Sequence, residues 1–319
     1  MISGPADAVT LDDVRRAAER IAGRVRRTPL LDAAPAHRHP ALASQLVLKL
    51  ECLQVTGSFK ARGASNKLAA LTPAALARGV VTASGGNHGL AVAYAGGIAG
   101  VATTIYLPTS ASAAKLRKME AWGATVALEG EVWDDSHAAA LLHAARDGLT
   151  YVHPFADPLV IAGQGMVATE ILDAAPDIDT LLVAIGGGGL ISGIAVAARA
   201  IKPAIRIIGI EPTGAPTLLR SLEAGRPAVL DGIDTAAGTL APRSTDPLNF
   251  GIIQQHVERI VLVSDAAMRD AAAWLWSEHG VAAELSGAAS VAALLTGQYR
   301  PAPGERVCAV VCGAGTDGF

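Results

Sequence analysis

Short apolar runs alternate with helical patterns along most of this chain, and each run has the length of a strand. This alternation indicates a layered α/β protein in which helices cover the sheets. The predicted strands span residues 46–51, 80–83, 101–107, 124–128, 180–185, 205–210, 259–263 and 306–311. The predicted helices span residues 11–25, 88–98, 111–122, 134–147, 161–174, 190–201, 266–279 and 287–296, and another begins near Lys60.

The order of these elements predicts two lobes. Residues 76–152 read as a compact doubly wound unit, after which Pro154 and Pro158 mark a return of the chain to the first lobe. We therefore predict a large lobe of residues 1–75 and 153–319 and a small lobe of residues 76–152, each a doubly wound three-layer αβα unit. The active site is expected in the cleft between the lobes, at the carboxyl ends of strands.

The composition favours an aliphatic core and a small-molecule ligand. Hydrophobic residues make up 51% of the 319 residues but aromatic residues only 4%, so the core must consist of Ala, Val, Leu and Ile. The formal net charge of −3 provides no attraction for nucleic acid or anionic lipid. The three cysteines lack the paired spacing of a metal site, which favours reduced thiols in a cytoplasm.

The chain shows no pattern for export or membrane insertion. Residues 1–9 lack the basic and then apolar sequence of a leader, so no export is expected. Residues 89–108 are uncharged, but Gly96, Gly97 and Gly100 interrupt them. A helix followed by a strand fits this stretch better than a membrane span, and we expect a cytoplasmic protein.

Lys60 lies where an extended run passes into a helix. Gly57 supplies a turn at this point, and the Ser58 hydroxyl group is expected to cap the helix. Because the positive end of a helix disfavours an ammonium group, the pKa of Lys60 should fall and its free amine become available for Schiff-base chemistry. Most lysines are solvated surface charges, so Lys60 alone would not indicate Schiff-base chemistry. Two glycine-rich motifs elsewhere in the chain support this interpretation.

The first of these motifs consists of Gly186, Gly187, Gly188 and Gly189, between a predicted strand and an apolar helix. Consecutive glycines leave backbone N–H groups accessible at a helix start, where a phosphate group binds favourably. The motif has neither the spaced glycines of a dinucleotide-binding fingerprint nor the ending of a P-loop. One glycine would suffice for a tight turn, so four indicate a phosphate cradle.

The second motif, Ser84-Gly85-Gly86-Asn87-His88, also follows a predicted strand and opens a helix. Its amides and the Ser84 hydroxyl group are suited to bind a carboxylate. Asn87 can donate to a phenolate-like oxygen or to a carboxylate without adding a charge. For His88, a structural hydrogen-bonding role and a proton shuttle are both open.

Together the three motifs resemble the fold type II family of pyridoxal-phosphate enzymes, in particular its threonine and serine dehydratases. Residues 49–64, which read KLECLQVTGSFKARGA, match the stretch of that family around its lysine. The similarity extends in the same order to residues 209–212, 284–288 and 311–313. It implies the tryptophan synthase β-like fold, with the cofactor in the cleft between two lobes.

The resemblance also implies roles for individual residues. Pyridoxal 5′-phosphate would be attached to Lys60, whose amine would later remove the Cα proton of an amino acid held at Ser84. Loss of the β-hydroxyl group would then give a 2-oxo acid and ammonia. The residues implied for the cofactor are Phe59, Lys60, Asn87, Gly186, Gly187, Gly188, Gly189 and Cys312. The residues implied for the substrate are Ser84, Gly85, Gly86, Asn87 and His88.

Two positions depart from patterns common in the family. The resemblance places Cys312 opposite the pyridine nitrogen, where many members have serine or threonine. In having a cysteine there, the chain resembles the liver-type serine dehydratases. Because a thiol is a weak hydrogen-bond partner, it cannot hold the ring nitrogen in its protonated form, which favours elimination over transamination. The alternative is that Cys312 is simply a small buried residue of the core. Gly85 replaces the second serine of the racemases, so we expect dehydration to exceed racemisation greatly.

A cation site is suggested by Glu211, Ala215 and Thr217, which have the spacing of the site in the liver-type enzymes. One carboxylate together with carbonyl and hydroxyl oxygens favours a hard, weakly charged ion, and potassium is expected. A glutamate in a surface loop is the alternative.

We therefore expect a homodimeric threonine or serine ammonia-lyase. Two related activities stay open: dehydration of another β-hydroxy amino acid, such as a hydroxyaspartate or phenylserine, and β-replacement of the cysteine-synthase kind. The GSFKARG stretch argues against β-replacement, and the retained Lys60, Asn87 and four glycines argue against a non-catalytic sensor. Because the chain stops seven residues after Cys312, no carboxyl-terminal regulatory domain and no isoleucine feedback are expected.

Overall fold

The computed structural model describes residues 8–34, 36–37 and 45–315. Most of the amino-terminal stretch on which the expected absence of a leader depends lies outside these residues. The described strands are β1 (Leu30–Asp32), β2 (Gln45–Leu50), β3 (Val80–Ala83), β4 (Thr103–Leu107), β5 (Thr125–Leu128), β6 (Thr150–Tyr151), β7 (Thr180–Ala184), β8 (Arg206–Pro212), β9 (Arg259–Val263) and β10 (Arg306–Val311).

These strands form two separate sheets. The larger has the order β1-β2-β10-β7-β8-β9 and the smaller the order β5-β4-β3-β6. Neighbouring strands are parallel in both sheets except for the antiparallel pair of β1 and β2. The predicted α/β class is therefore confirmed. The strands of the smaller sheet all lie between residues 80 and 151, whereas the lobe boundaries at residues 76 and 152 stay a prediction.

Helices connect the strands, and several begin at side-chain caps. Thr10 and Asp13 form a reciprocal capping box, and Asp157 accepts from two backbone N–H groups at the start of another helix. The described helices are α1 (Leu11–Arg20), α2 (Lys60–Ala69), α3 (Pro73–Arg78), α4 (Asn87–Ala99), α5 (Ala113–Glu120), α6 (Trp133–Asp147), α7 (Pro158–Ala174), α8 (Gly189–Ile201), α9 (Thr217–Ala224), α10 (Pro247–His256), α11 (Asp265–His279) and α12 (Leu285–Leu295).

The predicted and observed elements differ mainly at their ends. The helix predicted over residues 11–25 ends at Arg20, and Gly23 has a φ of 75° in the turns that follow. Helices α3, α9 and α10 and strands β1 and β6 have no counterpart in the prediction. Of these, α3, β1 and β6 have only six, three and two residues, too few for a clear period. Among the described residues, no helix is both long enough and apolar enough to cross a bilayer.

The aliphatic core expected from the composition surrounds the central strands of the larger sheet. Every residue of β7 is buried, and so is all of β10 after Arg306. Helices α7 and α8 approach each other through glycine: a Cβ atom on Gly193 would lie 2.3 Å from the carbonyl oxygen of Ile161. Small residues therefore permit the close helix packing that supports the glycine motif at the start of α8.

A buried network of four charged residues joins β2, α2 and α7. Lys49 Nζ lies 2.5 Å from Glu170 Oε2, and Arg62 lies 2.6 Å from Glu170 and 2.8 Å from Glu51. Burial opposes the charge of Glu51, but the adjacent Arg62 guanidinium outweighs it and lowers the pKa of the carboxyl group. Two cations thus balance two carboxylates, and Arg62 ties the first turn of α2 to the core.

We expect Glu170→Gln to destabilise the protein strongly, because it leaves two buried cations with one carboxylate. Removing one partner of a buried charge pair typically costs about 3–5 kcal/mol. Urea unfolding followed by circular dichroism should show the loss as a lower midpoint. Asp12→Asn is the matched control, since it breaks the exposed pair with Arg15, whose side chains are 69% and 65% exposed. Equal midpoints for the two variants would contradict the structural role of the network.

Candidate active site

Lys60 is the first residue of α2, and its side chain reaches the segment that follows β6. Its amine donates a hydrogen bond of 2.7 Å to the carbonyl oxygen of Pro154 and lies 5.1 Å from the centre of the Phe59 ring. Burial of the amine lowers the pKa of Lys60 to about 8, although Cys312 and Glu284 act in the opposite direction. The predicted lowering is therefore confirmed, but its main cause is loss of water rather than the helix end.

The residues before Lys60 form a sharp turn that is paired with the end of β10. Thr56 and Gly57 have φ values of 64° and 78°, and Ser58 forms an antiparallel bridge with Gly313. The predicted Ser58 cap is wrong: α2 has Phe59 at its N-cap and no side-chain cap, and the buried Ser58 hydroxyl group has no partner among the described residues. Backbone pairing takes the place of the cap here.

The same pairing places Cys312 beside Lys60. The Phe59 N–H group donates to the Cys312 carbonyl oxygen at 3.2 Å, and the Cys312 thiol lies 3.4 Å from the Ser286 carbonyl oxygen. Burial raises the pKa of Cys312, and the nearby Glu284 raises it further, so the group is a neutral thiol at pH 7. This is the weak hydrogen-bonding group that the sequence led us to expect; its place against a cofactor ring stays a prediction.

The side chains of Asn87 and Glu284 are hydrogen-bonded to each other next to Gly313. The Asn87 amide donates to Glu284 Oε1, and the Glu284 N–H group donates to the Gly313 carbonyl oxygen at 3.1 Å. A Cβ atom on Gly313 would lie 2.8 Å from Glu284 Oε1 and 3.2 Å from Asn87 Nδ2, so glycine is required. Glu284 belongs to one of the motifs that resemble the family but has no role predicted from the sequence; its position just before α12 was the available signal.

The glycine motif forms the start of α8 and has no room for side chains. Gly188, at the N-cap, has a φ of 94°. A Cβ atom on Gly187 would lie 2.3 Å from the Phe155 ring, and one on Gly189 would lie 2.9 Å from the Phe155 backbone. The first N–H groups of a helix have no partners within the helix, so this bare start is suited to phosphate oxygens.

Thr239 brings the two glycine-containing loops to the same place. A Cβ atom on Gly186 would lie 2.8 Å from the Thr239 carbonyl oxygen, and one on Gly86 would lie 3.6 Å from the Thr239 methyl group. The Asn249 amide donates to the Gly187 carbonyl oxygen at 2.8 Å and thereby fixes the backbone of the glycine motif. Residues far apart in the chain thus surround one cleft.

In the loop before α4, the Ser84 and His88 side chains have different surroundings. Ser84 is half-buried, and its hydroxyl group accepts from the Gly86 N–H group at 3.4 Å. His88 is buried, with Nε2 3.1 Å from the Thr82 hydroxyl group and 3.0 Å from the Val152 carbonyl oxygen. Burial lowers the pKa of His88 to about 3. These contacts suit the structural alternative for His88, and the substrate roles of Ser84, Gly85, Gly86 and His88 stay predictions.

Glu211 is fully buried at the end of β8, so the surface-loop alternative is wrong. Its two oxygens accept from the N–H groups of Leu218 and Leu219 at 2.7 and 2.9 Å, at the start of α9. Burial nevertheless raises the pKa of Glu211 to about 8. The Thr217 hydroxyl group donates to the Pro242 carbonyl oxygen at 2.7 Å, and Ala215 is buried. Within the described part of the chain, no three His, Cys, Asp or Glu side chains are grouped as metal ligands.

Comparison with known proteins decides the family. The profile described as "Pyridoxal-phosphate dependent enzyme" matches residues 21–313. The chain belongs to this family. Among the relatives of this pyridoxal-phosphate-dependent enzyme, L-threonine ammonia-lyase of Thermotoga maritima is 38% identical over 309 residues, which are 97% of this chain and 76% of that protein. Serine racemase of Oryza sativa subsp. indica is 37% identical over 293 residues, 92% of this chain and 86% of that protein.

Solved structures agree with this assignment. Maize serine racemase has a TM-score of 0.91 and 34% identity, over 96% of this chain and 94% of that one. The processed form of threonine deaminase isoform 2 from Solanum lycopersicum has a TM-score of 0.87 and 32% identity, over 95% of this chain and 85% of that one. The predicted family, the fold type and the pyridoxal phosphate cofactor are thereby confirmed. A buried amine of lowered pKa and a bare helix start, in one cleft, fit the aldehyde and the phosphate of that cofactor.

We expect Gly187→Ala to weaken the binding of pyridoxal phosphate by at least tenfold, or about 1.4 kcal/mol. The new methyl group would meet the Phe155 ring and narrow the cradle for the phosphate. Titration of the apoprotein, followed by cofactor absorbance, measures the affinity. Gly232→Ala is the control, because nothing lies within 4 Å of a Cβ atom there. An unchanged affinity in Gly187→Ala would exclude the cradle as the phosphate site.

Proposed function

We propose that this enzyme converts L-threonine, L-serine or both into a 2-oxo acid and ammonia. The observation that supports this most directly is the Lys60 amine, which has a pKa of about 8 because of burial and donates a hydrogen bond to the Pro154 carbonyl oxygen. An amine of this kind changes between its protonated and neutral forms near neutral pH, as a general base requires. Relatives named L-threonine ammonia-lyase and L-threonine dehydratase, at 35–38% identity, favour the same reaction.

Different residues of the chain bind the cofactor, bind the substrate and transfer the proton. Pyridoxal phosphate, when bound, supplies an electron sink for the Cα carbon. In this proposal Phe59 and Lys60 border the cofactor ring, and the N–H groups of Gly186 to Gly189 and the start of α8 hold the phosphate. Ser84 and the N–H groups at the start of α4 bind the substrate carboxylate, which orients the Cα–H bond toward Lys60. The Lys60 amine accepts that proton.

The overall reaction balances without an oxidant. The Cα–H bond and the Cβ–O bond break, so that one water leaves, and hydrolysis of the resulting enamine consumes one water and releases ammonia. The 2-oxo acid therefore has the oxidation state of the substrate. A neutral Cys312 thiol near Lys60 adds no negative charge to the site, which fits elimination better than transamination.

Glu284 orients Asn87 for its role toward the cofactor. Since Glu284 Oε1 accepts one N–H of the Asn87 amide, the amide nitrogen is fixed in place and its second N–H stays available for the ring oxygen. Asn87 Oδ1, which is buried without a partner among the described residues, then points away from Glu284.

Dehydration rather than racemisation is proposed as the main activity, although serine racemases are among the relatives. A racemase needs a second acid on the opposite face of the cofactor, and the position implied for it is Gly85, which has no side chain. We also propose a homodimer located in the cytoplasm; sedimentation velocity tests the oligomeric state.

Incubation of the cofactor-loaded enzyme with L-threonine should release 2-oxobutyrate and ammonia in equal amounts, measured by chromatography. L-Serine tests the second substrate through pyruvate. Lys60→Ala should abolish both products and also the borohydride-stable adduct at residue 60, whereas Lys118→Ala, at an exposed position, should retain them. Formation of D-serine from L-serine at a rate comparable to pyruvate formation would overturn the proposed preference for dehydration.

A monovalent cation, potassium in particular, is proposed to bind at Glu211, Ala215 and Thr217. Since burial raises the pKa of Glu211 to about 8, a proton competes with the cation below that pH. Activity should be higher in potassium than in tetramethylammonium buffer, and the potassium concentration for half activation should rise as the pH falls from 8 to 7. Glu211→Gln should lose this dependence. Equal wild-type rates in both buffers would exclude the site.

A further inference from the structure

Five side chains with rings form a continuous row along one side of the cleft. The centres of successive rings are 4.6, 5.4, 6.2 and 4.6 Å apart. The first two rings are stacked, and the remaining contacts are edge to face. We call this row the aromatic wall; its members, in order, are Trp133, His137, Tyr151, His153 and Phe155.

The aromatic wall runs from the predicted carboxylate loop to the phosphate cradle. At one end, Trp133 Nε1 donates to the Ala83 carbonyl oxygen at 3.0 Å, directly before Ser84. At the other end, the Phe155 ring lies against Gly187. The carbonyl oxygen that holds the Lys60 amine belongs to Pro154, which lies between the last two members of the wall. The wall therefore passes beside the position where an amino acid would react.

The wall retains surface for a ligand. Trp133 is 43% exposed, although its indole N–H group is already bonded. His137, Tyr151, His153 and Phe155 are each half-buried rather than enclosed in the core.

The wall is uncharged at neutral pH. Burial lowers the pKa of His137, and it lowers the pKa of His153 to about 4. His153 Nδ1 accepts from the N–H groups of Phe155 and Ala156 at 3.2 and 2.8 Å, so the ring proton is on Nε2. His137 Nδ1 lies 2.8 Å from the Tyr151 hydroxyl group. Neither ring therefore offers a positive charge to a ligand.

A second carboxylate on the substrate would find no cation in the wall. None of its five members is Lys or Arg, and Asp134 and Asp135 in the first turn of α6 add negative charge near Trp133. A carboxylate removed from water against neutral rings is penalised unless a cation compensates it. The wall therefore disfavours hydroxyaspartate as a substrate.

We propose that the aromatic wall receives the side chain of the substrate and that the preferred substrate carries an aryl group on its β-carbon, as in 3-phenylserine. This inference rests on the proposed function and names the substrate class for the same site. A phenyl ring can pack against the exposed part of Trp133 and the half-buried His137, whereas the methyl group of threonine would cover little of their surface. The reaction keeps its balance: 3-phenylserine gives phenylpyruvate and ammonia, with one water lost and one consumed.

A panel of four substrates tests the proposal with the cofactor-loaded enzyme. The values of kcat/KM for L-threo-3-phenylserine, L-threonine, L-serine and L-threo-3-hydroxyaspartate are obtained from 2-oxo acid and ammonia release. We expect phenylserine to exceed threonine by about tenfold or more, and hydroxyaspartate to be the poorest. A higher value for threonine or serine would overturn the aryl preference and leave the proposed function intact. No 2-oxo acid from any of the four would overturn the proposed function itself.

Binding of unreactive analogues provides a readout without turnover. L-Phenylalanine and L-2-aminobutyrate lack the β-hydroxyl group, so their dissociation constants follow from changes in cofactor absorbance. We expect L-phenylalanine to bind about tenfold more tightly, and Trp133→Ala to remove this difference. Trp276→Ala is the matched control at a tryptophan that is 59% exposed on α11. Equal binding of the two analogues to the wild-type enzyme would contradict the proposal.

A second variant covers the case in which Trp133→Ala does not fold. His137→Arg places a cation in the wall at a half-buried position. It should lower kcat/KM for phenylserine and raise it for hydroxyaspartate, which reverses their order. An unchanged order in a folded His137→Arg enzyme would show that the wall does not contact the substrate side chain.

Discussion

The buried ion pairs among Lys49, Glu51, Arg62 and Glu170 hold the first turn of α2 in place, and the geometry of the cleft follows from that position. Two carboxylates and two cations without access to water are stable only when their contacts are well aligned. Arg62 is two residues after Lys60 in the first turn of α2, so its ion pairs fix the backbone from which the Lys60 side chain extends. Through these ion pairs in the core, the network therefore fixes the start of α2 and with it the position of Lys60 at the edge of the cleft.

From this position, backbone pairing and small residues complete the cleft. The pairing of Ser58 with Gly313 brings the end of β10 beside α2, and Gly313 leaves room for Asn87 and Glu284 to meet. The bare start of α8 faces the same space. The segments after parallel strands thus bring an amine, an amide and a glycine-rich helix start together from three separate parts of the chain.

Loss of water is the common cause of the unusual ionisation in and near the cleft. Burial lowers the pKa of Lys60 and of His153, and it raises the pKa of Cys312 and Glu211. Each shift favours the neutral form of its group. The cleft consequently presents an amine that loses its proton near pH 8, together with a neutral thiol and neutral imidazoles.

The sequence by itself determined the α/β class, the order of most strands and helices, and the family, because these depend on local periodicity and on motifs of consecutive residues. Lys60, Asn87 and the four glycines were singled out as candidates for the same reason. Only the tertiary structure revealed that Ser58 does not cap α2, that desolvation rather than the helix end lowers the pKa of Lys60, and that Glu284 orients Asn87. The tertiary structure also showed that side chains from α6, β6 and the segment after β6 form the aromatic wall. These features depend on contacts between residues distant in the chain and on the exclusion of water, neither of which a local pattern records.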